Sequence, residues 1–143
     1  MNFQLRAAAL AVSMLAIVGN ASAESVSCVL GNNKVLVLGD LASSPTYSYG
    51  SAAKTELRLP ADSAHSDVYK GTEVFSGGGA QYIAFTNGVY TYVVYDGIGR
   101  GWEFSGLRVY QNADIVFEQE CKHQGVLQYD YSTVNAPEGE LPY

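Results

Sequence analysis

Three stretches of this sequence gather side chains able to do chemistry. Asp62, Ser63, His65, Ser66 and Asp67 place acids, hydroxyls and an imidazole within one short segment. A Ser–His–Asp triad, however, converges in space from separate segments, and near neighbours on one loop cannot aim at a common point. Asp62, His65 and Asp67 also fail as a metal site, because they mix hard and softer ligands without the spacing of a known metal loop. This segment therefore reads as a solvated loop, and His123, just after Cys121-Lys122, as a surface residue. The second stretch is Gly97-x-Gly99-x-Gly101. A phosphate cradle of this kind opens a helix whose N-terminus holds the phosphate. Here Trp102-Glu103-Phe104 follows with strand character, and no Gly-Lys-Ser/Thr is present, so a β-hairpin loop is expected. The third is the carboxylate set Glu103, Glu118 and Glu120. Glycoside cleavage needs two carboxyl groups facing each other at fixed separation, and nothing in the sequence pairs these across a cleft. No catalytic residue, metal site or cofactor is expected, and the chain reads as a non-enzyme.

Residues suited to contact are easier to find. Arg100 lies at the tip of the glycine-rich connection, between Asp96 and Trp102. Arginine and tryptophan together on a short loop have the composition of a binding hot spot. The alternative is that Trp102 anchors the core and Arg100 caps it in solvent. Ser76-Gly77-Gly78-Gly79-Ala80-Gln81-Tyr82 lacks side chains at three successive positions, which lets a partner backbone come close; a simple bulge or loop is the alternative.

The elements that would position these residues are short strands. Beyond Ala23 no helical period is sustained, and β-type runs alternate with turn residues. Strands are expected at 25–30, 34–38, 46–49, 55–59, from 73 to 76, 81–85, 89–95, 102–104, 107–110 and 115–121, with a further alternation at Leu127, Tyr129 and Tyr131. Residues 60–72 read as a loop. The clearest unit is the hairpin around Thr86-Asn87-Gly88, since Asn-Gly supplies the positive φ of a tight primed turn. In its second strand Tyr90, Tyr92 and Val94 share one face and Thr91, Val93 and Tyr95 the other. With large groups on both sides, this strand is expected to be central and covered on both faces. The predicted fold class is all-β, a small antiparallel barrel or sandwich of about eight strands. The tail from Asn135, with two prolines and two glutamates, reads as flexible and acidic.

Cellular placement follows from the other end. Arg6, an apolar run from Ala7 to Val18, and Ala21-Ser22-Ala23 have the three-part plan of a secretory signal peptide cut after Ala23. The run is short of the roughly 20 residues of a spanning helix. The expected organisation is a signal peptide at 1–23, one β domain at 24–134 and a tail at 135–143. Export to the periplasm or beyond, with no membrane insertion after cleavage, is expected. In an oxidising compartment Cys28 and Cys121 are expected to pair, closing a loop of roughly 90 residues at a gain of about 4–5 kcal/mol. Removing residues 1–23 loses Arg6 and takes the formal charge from −6 to −7. Such an acidic domain repels phosphate backbones, which excludes nucleic acid, and favours encounter with a basic protein.

The order of features from Cys28 to Cys121 resembles the periplasmic inhibitors of C-type lysozyme, small exported β-barrels with a cysteine bridge. That family carries a Ser-Gly-x-x-Tyr segment followed by an aromatic strand pair. Here Ser76-Gly77 stands for its start, Tyr82 lies two positions late, and Tyr90, Tyr92 and Tyr95 stand for the aromatic strands. The family's second motif reads like Trp-x-Lys-Gly; this chain has Gly101-Trp102-Glu103-Phe104, without the lysine, and Arg100 is the available basic substitute. The resemblance implies a binding protein whose loop enters the cleft of a cell-wall hydrolase, with Ser76, Gly77, Tyr82, Arg100 and Trp102 as contacts. Two other roles fit the same sequence: an immunity protein against a toxin delivered to the periplasm, and an envelope module binding carbohydrate through its tyrosines.

Overall fold

The computed structural model describes residues 25–61, 65–123 and 127–143. The signal-peptide segment, and Asp62 and Ser63 of the loop considered above, lie outside the described residues. The described residues form nine strands: β1 (Val26–Val29), β2 (Val35–Gly39), β3 (Thr46–Gly50), β4 (Thr55–Leu59), β5 (Val68–Phe75), β6 (Gly78–Asn87), β7 (Tyr90–Gly99), β8 (Trp102–Gln111) and β9 (Asp114–Glu120). They build two antiparallel meanders, a small sheet of order β1-β2-β3-β4 and a large one of order β5-β6-β7-β8-β9. The sheets do not close into a barrel; of the two expected forms, the sandwich is the one adopted.

Alternation decides which side chains meet between the layers. Leu36 and Leu38 of β2, Tyr47 of β3 and Leu59 of β4 turn inward and are fully or almost fully buried. They meet Ile83 and Phe85 of β6, Val94 of β7, and Leu107 and Val109 of β8. Tyr47 sits at the centre, its ring 5.6 Å from Phe85 and 5.5 Å from Tyr92. The disulfide Cys28–Cys121 ties β1 to the chain just beyond β9, joining the two sheets where the backbones of Leu30 and Cys121 also pair.

The hairpin expected around Asn87-Gly88 is present, but its two-residue turn is Gly88-Val89: Asn87 pairs with Tyr90 as the last residue of β6, and of the Asn-Gly pair only Gly88 takes a positive φ, 62°. As expected, β7 is central and covered on both faces. Its inner face belongs to the main core, and Val93 and Tyr95 of its outer face join a second cluster with Tyr82, Ala84, Tyr110 and Leu141.

Three expectations are corrected. The first half of β5, from Val68, lies in the expected loop 60–72; its polar residues form an edge strand paired with β6 along its length, with one isolated bridge from Lys70 to Glu138 on the other side. The alternation at Leu127, Tyr129 and Tyr131 does not form a strand. Leu127 and Tyr129 do point inward, but no neighbouring strand pairs with them, and Asp130 instead accepts the Ser132 amide and starts a 3-10 turn, Tyr131–Thr133. Finally, residues 135–143 are not a loose tail. Lys70 of β5 donates its backbone N–H to Pro137 and accepts from Gly139, and Leu141 is buried against the outer face of the large sheet. The Lys70 ammonium holds the approach to this strap, donating to the carbonyls of Tyr131 (2.9 Å) and Val134 (3.0 Å) and lying 4.4 Å from the Tyr131 ring centre.

Candidate functional site

In an antiparallel meander alternate turns share one end of the sheet. The two-residue turns Ser76-Gly77, between β5 and β6, and Arg100-Gly101, between β7 and β8, are therefore neighbours. Arg100 lies across the first of them: its Cγ is 3.5 Å from where a Cβ on Gly77 would stand. Gly77 has φ 89° and Gly101 φ 74°, values that glycine adopts without strain. Arg100 makes no ion pair among the described residues.

Below these tips the outer face of the large sheet carries an aromatic strip. Register places Gly99 opposite Trp102 and Gly97 opposite Phe104. A Cβ on either glycine would run into the ring across from it. The rings can therefore lie flat over bare backbone instead of standing off the sheet. Trp102 and Phe104 have centroids 4.7 Å apart, and Phe75 lies nearly parallel to Trp102, at 24° and 6.4 Å. Phe104 continues to Tyr95 at 6.0 Å, and the Arg108 guanidinium lies 5.8 Å from the Tyr95 ring centre. Trp102 is 52% exposed, so it is a surface residue and not the core anchor that was its alternative; Tyr47 and Phe85 hold the centre instead.

The strip floors a groove of about 320 Å³, with Glu73 on one flank, Glu118 and Glu120 on the other, and Leu141 of the strap closing one side. Arg108 is held by Glu118 at 2.7 Å, which keeps its charge fixed across the titratable range. One oxygen of Glu73 is buried without a hydrogen-bond partner among the described residues. Tyr95 is pushed up to about 12, first by burial and then by the negative charges of Glu118 and Glu120.

Of the five residues singled out as contacts, Ser76, Gly77, Arg100 and Trp102 come together at this end of the sheet. Tyr82 lies deeper on the same face. It is 5% exposed, and its hydroxyl donates to the Gly139 carbonyl at 2.8 Å, so it is a wall of the groove fastened to the strap. Phe75, Phe104, Glu73 and Arg108 were not singled out as contacts from the sequence, and Tyr95 only as one of the aromatic strand residues of the resemblance. Among the described residues no three His, Cys, Asp or Glu side chains converge as metal ligands.

The opposite face of the same sheet end holds Asp96. It is half-buried and pushed up to about 6, chiefly by desolvation and then by Glu103, with the weak Gln81 hydrogen bond at 3.5 Å acting the other way. A carboxyl that binds its proton more tightly when folded adds stability at low pH that is lost as pH rises from about 4 to about 6. Asp96→Asn is expected to be more stable than the parent above pH 6 by about 1 kcal/mol, after discounting for solvent screening of a half-exposed group. The difference should vanish below pH 4 in urea melts run from about pH 4 to 7; a variant less stable at pH 7 would show that the charged form is the favoured one.

No family model matches this chain, and the searches of curated proteins and of solved structures likewise returned no match.

Proposed function

We propose that this is an exported binding protein that blocks a basic cell-wall hydrolase, and that the end of the large sheet carrying the two glycine turns is its contact surface. The observation that carries this reading is the grouping of Arg100, Trp102 and Phe75 around the bare Ser76-Gly77 turn, at the mouth of an acidic groove. An exposed tryptophan beside an arginine is the side-chain pair most enriched among residues that dominate binding energy. Turns without bulky side chains can enter a narrow cleft, and a chain of net charge −6 is drawn to a basic partner. The disulfide and the absence, among the described residues, of a helix long and apolar enough to cross a membrane are compatible with export.

The test is a cell-wall lysis assay in which oxidised residues 24–143 are titrated against C-type, G-type and I-type lysozymes. Stoichiometric inhibition of one class is expected. Trp102→Ala, at an exposed position, should weaken it by about thirtyfold or more, the effect of removing a hot spot of at least 2 kcal/mol. Absence of inhibition at large excess would overturn the hydrolase reading. A second reading rests on the near-parallel Phe75 and Trp102 rings, whose exposed faces suit the flat side of a sugar. Binding to purified peptidoglycan with no enzyme present would favour that envelope role instead.

A further inference from the structure

The groove beneath the hairpin tips has a chemistry of its own, and three observations define it. Its floor is a run of aromatic faces, from Phe75 through Trp102 and Phe104 to Tyr95, laid flat by the glycines opposite them. Such faces are negative and attract cations. Its flanks carry three carboxylates, Glu73, Glu118 and Glu120, against one guanidinium, Arg108. Arg108 is already committed to Glu118, so Glu73 and Glu120 retain uncompensated charge. Lastly, Glu73 holds a buried oxygen that no described group satisfies. A buried, unpaired carboxylate oxygen is costly to leave without a donor.

The molecule itself displays what fits. Arg108 lies over the Tyr95 ring while its Nε donates to Glu118. This is a guanidinium held by one aromatic face and one carboxylate, the same two groups that Trp102, Phe104 and Glu73 present unoccupied further along the strip. We propose that the groove receives a cationic side chain of the partner, an arginine or lysine, stacked on Trp102 and Phe104 and paired with Glu73, with the uncompensated charge of Glu120 on the opposite flank adding attraction at longer range. The idea deepens the hydrolase reading and rests on it for the partner's identity, but not for the chemistry of the groove. Binding here would be selective for charge, since a neutral group of the same shape gains the stacking and forgoes the carboxylate attraction.

Trp102 is the chain's single tryptophan, so its fluorescence reports this groove alone. The experiment titrates oxidised residues 24–143 with N-acetylarginine amide, its neutral isostere N-acetylcitrulline amide, and a chitin trisaccharide. A saturable change with the arginine compound is expected, at least about tenfold weaker with citrulline and weakened by added salt. Glu73→Gln and Glu120→Gln, both close in shape to the parent residue, should each reduce the arginine response, Glu73→Gln several-fold and Glu120→Gln by less, without lowering the temperature of thermal unfolding. Equal responses to arginine and citrulline, or a saturable response to the trisaccharide alone, would overturn the proposal. Because no hydrolase is present, failure of the lysis assay with a positive arginine titration would remove the hydrolase and keep the cation site. Inhibition of a lysozyme with no charge-selective titration would do the reverse.

Discussion

Replacing both cysteines, Cys28→Ala with Cys121→Ala, is expected to cost about 4 kcal/mol of stability, a large share of what a domain of this size holds. The two residues are 93 positions apart, so in the parent protein nearly the whole described domain is one closed loop when unfolded. Opening that loop restores conformational freedom to the denatured chain, and the model for loops of this length gives about 4–5 kcal/mol. Loss of native packing adds to this. Both cysteines are almost buried, and they sit where β1 and the end of β9 bring the two sheets together. Alanine leaves no buried hydroxyl, so the measured loss reports the crosslink and its sulfur atoms. Urea unfolding of the oxidised parent and the double variant gives the comparison. A loss below about 1 kcal/mol would mean that the denatured chain is already constrained elsewhere. The consequence for binding is separate: the hairpin tips belong to the large meander, which is held by its own ladder, so a variant still folded at low temperature should keep its contact surface.

Much of the architecture was legible in the sequence because it rests on local rules. Gly88, at the first position of the Gly88-Val89 turn, sets the register between β6 and β7, and the two-sided pattern from Thr91 to Tyr95 places β7 in the middle of a covered sheet. Cysteine pairing, which the structure shows, followed from the expected export and the count of two. The missed elements depend on distant partners. Val68 to Thr72 carries no strong alternation, and it is a strand because Gln81 to Phe85 of β6 pair with it, helped by the strap at Lys70. Leu127 to Tyr131 has the alternation of a strand and lacks a partner, so burial persists without a ladder.

The contact surface was half legible in the same way. Arg100 and Trp102 stand out by type, and Ser76-Gly77 by the lack of side chains. That these two turns adjoin follows from the order of the meander. The aromatic strip had a readable signal that composition conceals. In Gly97-Ile98-Gly99-Arg100-Gly101-Trp102-Glu103-Phe104, folding about Arg100-Gly101 sets a Gly-x-Gly against a Trp-x-Phe. An aromatic ring covering a glycine across a strand pair is a recognised stabilising device, and read with that register the sequence implies two rings lying flat. Phe75 and Glu73 come from β5, whose register with β6 is fixed by the Ser76-Gly77 turn. They fall within the strand expected from 73 to 76, but its pairing with β6, which puts them in the groove, was not legible from the sequence.

The C-terminal strap gives the sharpest contrast between composition and structure, and deleting residues 136–143 tests it. By composition these residues are a solvated tail, and their removal would be neutral. In the structure their loss strips Leu141 from the outer cluster, leaves the Tyr82 hydroxyl without the Gly139 carbonyl, and removes two backbone hydrogen bonds from Lys70. Burial of a leucine is worth about 2–3 kcal/mol, and each hydrogen bond about 1 kcal/mol net. The entropy of ordering the strap opposes these gains, and a net loss of about 3 kcal/mol is expected on truncation. Leu141→Ala should reproduce about 2 kcal/mol of it, since the hole opens at the rim of the cluster and not at its centre. A truncated chain as stable as the parent would return the segment to a free tail. The strap also borders the groove through Leu141, so the same deletion separates two ideas about recognition. If the cationic group is held by Trp102, Phe104 and Glu73, the truncated protein still distinguishes arginine from citrulline at a temperature where it is folded. If discrimination disappears with the strap while the sheet remains intact, the enclosing wall at Leu141 and Tyr82 contributes the selectivity, by excluding water from the carboxylates and raising the cost of leaving them unpaired.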